Sequence, residues 1–119
     1  MKLSVFDLVG EYGGVTFDDG QRVYEALHPQ LAAHESVELD FAGVKIVAAP
    51  FLNAAIGQLM RHLTPADVAA HLQVVNLNPV TYAVLDRLIR DSYRYYHDPV
   101  YQAAVDSVME KQAGDWDGF

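Results

Sequence analysis

The residues in this chain whose types and spacing suit chemistry point to recognition, not to a reaction. Asn53, Gly57 and Arg61 recur at i, i+4 and i+8 of a helical pattern, and Lys45, Ala48 and Ala49 precede them at a strand-to-helix turn. An ammonium, an amide and a guanidinium around a residue with no side chain make a shallow polar surface with a low centre. A glycine inside a helix costs about 1 kcal/mol relative to alanine, and nothing local calls for one at Gly57. Three explanations stay open: a partner protein approaches there, the chain's own C-terminal helix packs on it, or it is a tolerated surface glycine.

Other candidate groups carry less chemistry. The five histidines, His28, His34, His62, His71 and His97, form no pair with metal-ligand spacing on one element, and His34-Glu35 lacks the second histidine of a zinc-protease helix. No metal or cofactor is expected. Gly10, Gly13 and Gly14 form neither a dinucleotide fingerprint nor a phosphate loop, and no serine sits in a glycine elbow. Asp18 and Asp19 suit a helix cap better than a catalytic dyad. Asp40, at a strand's end, is the carboxylate with the best placement for chemistry, although an alternating strand also turns such a residue to solvent. Tyr93, Arg94, Tyr95, Tyr96, His97 and Tyr101 form an unusual aromatic cluster that suits core packing or a subunit interface.

The elements that must position these groups follow from patterning. Val37, Leu39 and Phe41 alternate with Glu38 and Asp40, predicting a half-buried strand, and Ala42-Gly43 allows a turn. Phe51, Leu52, Ala55, Ile56, Leu59, Met60 and Leu63 then share one face of a predicted helix. Upstream, Leu3 to Val9 and Val15 to Phe17 read as two strands of a hairpin. A helix capped by Asp18 or Asp19 follows to about Ala33, with Pro29 expected to kink it or to end it near Leu27. Downstream, Thr64-Pro65 opens a short helix, and His71 to Leu77, with Leu72, Val74 and Val75 apolar, reads as a strand. Asn78-Pro79 opens a longer helix with Val80, Val84, Leu85, Leu88 and Ile89 on one face. Asp98-Pro99 opens a last helix, with Val100, Ala104, Val105, Val108 and Met109 on one side and Gly114 as its stop. The expected fold is α/β: a small mixed sheet with an N-terminal hairpin, parallel crossovers and covering helices. One domain spans 1–119, with a core of about 3–96, a C-terminal helix of about 98–113 and a frayed tail over 114–119.

At 119 residues the chain is large enough to bury a core without staples. It has no cysteine, which excludes disulfides and thiolate chemistry, and a reducing cytoplasm suits it. Eight basic residues against sixteen acidic ones give a net charge of -8, which opposes nucleic acid and anionic lipid as partners. Arg87, Arg90 and Arg94 fall at helical spacing and read as a solvated flank. The N-terminal segment is neither a signal peptide nor a membrane span, so a cytoplasmic location is expected.

The order of pieces resembles the STAS domains of anti-sigma factor antagonists, and more closely a STAS-like family of uncharacterised function. The likeness runs from about Leu8 to Arg90. It rests on Gly13-Gly14, the helix from Asp18, Val37-Glu38-Leu39-Asp40-Phe41-Ala42-Gly43-Val44, Phe51, and Asn76 after the next strand. The resemblance implies a non-enzymatic module that regulates or scaffolds a partner protein, for which an ATPase-fold anti-sigma or histidine-kinase-like protein is the first candidate. A homodimer is a further option. In the antagonist branch a serine or threonine at the start of the central helix is phosphorylated, and the added charge breaks the complex. Ala49 stands at that position here and Ala48 at the acidic residue before it, so that switch is missing. The surface implied for a partner is Lys45, Ala48, Ala49, Asn53, Gly57 and Arg61. The alternative role is a sensor binding a nucleotide or metabolite at the carboxyl ends of the strands, and an enzyme with no recognisable motif is a third.

Overall fold

The alternation of Val37, Leu39 and Phe41 is borne out in the computed structural model, which describes the backbone of residues 1–117 and the side chains of residues 1–110. All three are at most 2% exposed. Val37 and Leu39 belong to β2 (Val37–Asp40), which Phe41 directly follows; β2 is the middle of three strands, between β1 (Lys2–Ser4) and β3 (Leu72–Val75). Both pairings are parallel, with Leu3 opposite Leu39 and Leu39 opposite Val74. Parallel strands need crossovers, and helices supply them. The first passes through α1 (Val5–Val9) and α2 (Phe17–Ala32), the second through α3 (Ala49–Ala55), a 3₁₀ turn (Gly57–Arg61) and α4 (Pro65–His71). After β3 come α5 (Pro79–His97) and α6 (Pro99–Asp117).

The expected mixed sheet with a hairpin is corrected to a parallel sheet among the described residues. The run Leu3 to Val9 divides because Ser4 Oγ accepts from the Asp7 amide at 3.2 Å and starts α1 after three strand residues. Gly10, at φ +86°, ends that helix. Val15 to Phe17 is not a strand either: Thr16 Oγ1 accepts from the Asp19 amide at 3.1 Å, so Thr16, and not Asp18 or Asp19, caps α2. Gly14, just before this segment, makes a single parallel bridge to Val47.

Pro29 neither ends α2 near Leu27 nor stops it before Ala32. Its ring is exposed, while Val23, Leu27 and Leu31 are buried at successive i, i+4 steps, and anchoring Leu31 offsets the hydrogen bond that proline removes. The central helix is shorter than its periodicity predicts. Ile56 leaves helical geometry at φ -123°, and the bonds from Leu59 N to Ile56 O and from His62 N to Leu59 O tighten the following residues into the 3₁₀ turn. That tighter winding buries Gly57, Gln58, Leu59 and Met60 together.

The three proline-opened helices form as expected. Thr64 and Asp67 make a reciprocal capping box, Asn78 Oδ1 accepts from Val80 N, and Asp98 Oδ1 accepts from the amides of Val100 and Tyr101. Their apolar faces are covered less than the pattern implies. Leu85 is buried and Leu88 and Ile89 pack on the core, but Val80 and Val84 are exposed. In α6, Val105 is half-buried while Val100, Val108 and Met109 are exposed. The α6 backbone continues past Gly114 to Asp117, so glycine does not stop it there. Residues 118–119 of the expected tail lie outside the described residues.

Candidate functional site

The turn after β2 is held from two sides. Asp40 Oδ1 accepts from the Ala42 amide at 2.9 Å and from Asn76 Nδ2 at 2.8 Å, and Lys2 Nζ lies 3.5 Å from Oδ2. Asp40 is thus 8% exposed and joins the carboxyl ends of β2 and β3 instead of facing solvent. The Asn76 bond, then the Ala42 bond and the nearby Lys2, hold its carboxyl below the ordinary carboxylate range. Asn76 supplies its amide from a left-handed backbone, φ +59°.

Beyond Asp40, Gly43 turns at φ +85° with the Phe6 ring against it. The chain then runs beside the loop that follows α1. Lys45 N donates to Glu11 O at 2.9 Å and Ala48 N to Gly14 O at 2.8 Å. The approach is close enough that a Cβ on Gly14 would lie 2.2 Å from Ile46 O. Gly13-Gly14 therefore sets the contact between two loops, residues 10–16 and 43–48, which together precede α2 and α3.

The six expected surface residues divide. Lys45, Ala49 and Asn53 are exposed on the loop and α3, and Ala48 is half-buried as the N-cap of α3, with no side-chain hydrogen bond to it. Gly57 is the correction. It is buried under α5, where a Cβ would meet Ser92 Oγ at 3.0 Å and Leu88 Cδ2 at 3.4 Å. The close approach is made by this chain, and by α5 rather than by its last helix. Arg61 is exposed but leans away from the loops, its guanidinium 5.1 Å from the centre of the Tyr96 ring.

Sequence reasoning missed the apolar part of the loop surface. Phe6, Tyr12, Val15, Phe17 and Ile46 are between 40% and 66% exposed, all on the two segments that carry or adjoin the paired loops. The available signal was the occurrence of large apolar residues in glycine-rich connections, where no helix or strand period required them.

Charge marks the same area. Lys2 pairs with Glu38 and Asp40, Arg22 with Asp19, Arg87 with Asp91, Arg90 with Asp86 and Arg94 with Asp98. Among the described residues Lys45 and Arg61 are the lysine and arginine side chains without a carboxylate partner. Two histidine pairs come together, His28 with His62 and His34 with His71, ring centres 6.1 and 5.8 Å apart. Among the described residues no group of three histidine or carboxylate side chains is arranged to hold a metal ion. No helix among them is long and apolar enough to cross a membrane.

No curated protein and no solved structure matches the chain. A family model described as a STAS-like domain of unknown function (DUF4325) matches residues 19–82, from the first turn of α2 to the first turn of α5 and more than half of the chain. The matched segment contains the Asp40–Asn76 lock, the Gly43 turn and the Lys45–Arg61 stretch, and with that extent covered the chain belongs to the STAS-like domain family.

Proposed function

We propose that this STAS-like domain is a non-enzymatic regulatory or scaffolding module that binds a partner protein across the paired loops, through Lys45, Ile46, Ala49 and Asn53 together with Tyr12, Val15 and Phe17. The carrying observation is the set of exposed large apolar side chains around an ammonium with no carboxylate partner among the described residues. Apolar groups exposed together mark interaction sites, and desolvated aromatic anchors dominate binding energy at such interfaces. Lys45 favours a partner with acidic groups facing that point. Gly57 drops out of the surface because α5 covers it, and Arg61 belongs to the neighbouring groove.

The family likeness makes an ATPase-fold anti-sigma or histidine-kinase-like protein the first partner to seek, in the cytoplasm. The alternative of a ligand at the strand ends is less well supported, because Asn76 and the Ala42 amide already occupy Asp40 there.

The test is affinity capture from source lysate with the whole chain, using wild type and the variants Ile46→Asp and Arg61→Gln after each is shown to fold. Partners captured by wild type should be lost with Ile46→Asp and kept with Arg61→Gln. If folded Ile46→Asp retains every partner, the loop surface is not the docking site.

A further inference from the structure

Beside the loop surface lies a groove of about 600 Å³ between α5–α6 and the α3–3₁₀ segment. That volume falls within the range of small-molecule sites, about 300–1,000 Å³. None of its walls comes from a strand, so it is separate from the carboxyl ends of the sheet. We propose that this groove binds a small planar monocarboxylate that carries a hydrogen-bond donor, such as a hydroxylated aromatic acid or a heterocyclic acid with a ring N–H.

Three features specify that chemistry. The first is Arg61, a planar cation stacked on Tyr96 and free of any carboxylate partner among the described residues. Stacking leaves the guanidinium edge available for a bidentate pair with a carboxylate. The second is Gln58, only 8% exposed, whose Nε2 donates to Gln21 Oε1 at 2.7 Å and to Ala54 O at 2.8 Å. The Ala54 carbonyl can only accept, which fixes the orientation of the amide. Both hydrogens are then used, and Gln58 Oε1 is left as a free acceptor on the groove wall, with no donor among the described residues. That oxygen is open to the groove, and a ligand O–H or N–H can donate to it in place of solvent. The third is the apolar wall of Leu88, Tyr95, Tyr101 and Val105, which suits a flat ring.

The walls also set an upper limit on ligand charge. Arg87 and Asp91 both line the groove, 3.7 Å apart, so their charges offset and Arg61 leaves the groove one net positive charge. A monoanion is therefore favoured over a phosphate ester.

The experiment is a nitrogen-edited NMR titration of the full chain, including side-chain amides, with 4-hydroxybenzoate and indole-3-carboxylate; phenol and benzamidine serve as controls lacking the anion. Saturable shifts are expected at Asn53, Gln58 and Ser92 with the acids and not with the controls. Arg61→Gln should weaken binding about tenfold or more, the size of one charge-assisted hydrogen bond. Val105→Trp, which fills the groove from α6 and leaves Arg61 unsubstituted, should abolish it. Ile46→Asp should leave it intact, so failure here is distinguishable from failure of the partner reading. The proposal is overturned if neither acid gives saturable shifts up to millimolar concentration, if the controls bind equally, if folded Arg61→Gln binds with unchanged affinity, or if binding survives Val105→Trp in a folded protein.

Discussion

Gly20→Ala tests the packing that sets α3, and with it the loop surface, against the body of the domain. Gly20 is buried in α2 where α3 crosses, and a Cβ there would lie 2.4 Å from Phe51 O and 2.7 Å from Ala54 Cβ. Ordinary contact begins at about 3.4 Å, and the nearest obstacle is main chain, so a rotamer change cannot relieve it; the helices must part by about 1 Å. Overpacking of this kind costs about 1–3 kcal/mol, and the better helix propensity of alanine returns about 1 kcal/mol. A backbone obstacle puts the packing cost toward the upper end, leaving a net loss of about 1–2 kcal/mol. With an unfolding entropy of about 2.1 cal/mol/K per residue, a chain of this length should lose about 4–8 °C in Tm. Thermal unfolding followed by circular dichroism measures it. Gly57→Ala is the internal contrast: its nearest obstacle is Ser92 Oγ at 3.0 Å, a hydroxyl on a rotatable side chain. It should change Tm by less than Gly20→Ala does. A Gly20→Ala protein with wild-type or higher Tm would refute the close crossing of α2 and α3.

Two further outcomes bear on the lock and the first helix. Because the folded state depresses the Asp40 pKa below its reference value of 3.8, the stability this carboxylate contributes is full above the unfolded pKa and disappears as pH falls through the folded one. Asp40→Asn should therefore be less stable than wild type at neutral pH, and the gap in urea midpoint should narrow below about pH 4; a gap that stays constant with pH would remove the ionised carboxylate from the argument. For α2, Thr16→Ala should cost about 1 kcal/mol through the lost N-cap and Asp18→Ala about 0.5 kcal/mol or less through the helix dipole. The reverse order in denaturant unfolding would assign the cap to Asp18.

Local chemistry was the legible part of this fold. Thr64-Pro65, Asn78-Pro79 and Asp98-Pro99 open helices because a cap and a preset φ act within three residues, and nothing distant competes. The alternation in β2 was legible because burial of one face imposes it. Ser4 and Ile56 were not. Leu3 to Val9 is apolar enough for a strand or a helix, and the choice turned on one hydroxyl capping Asp7 N. Phe51 to Leu63 keeps helical spacing, yet over two turns a 3₁₀ winding satisfies nearly the same spacing while placing Gly57 and Gln58 inside. Asp40 illustrates the same limit at the site. Its acceptor role depends on Asn76, 36 residues away, and no local pattern links them. Of the expected surface, Lys45, Ala49 and Asn53 lie exposed as expected, because a loop and the first turns of a short helix leave little to cover them. Gly57 did not, since its partner helix begins beyond the segment whose period was read.

The start of α3 constrains how this surface could be controlled. Ala48 is the N-cap without a side-chain hydrogen bond, Ala49 opens the helix and Pro50 follows in its first turn. A hydroxyl at either alanine would sit on the proposed docking surface, where a phosphate would add charge to a patch now made of one ammonium, small side chains and apolar rings. With alanine at both positions that chemistry is excluded at the start of α3. Control of binding at these loops then has to act through the partner, or through elements that touch the surface. Asn53 meets that condition, because it lies on α3 between the loop surface and the groove and lines the groove wall. Any coupling between groove and loops must pass through a contact that differs between bound and free states, and Asn53 is common to both surfaces.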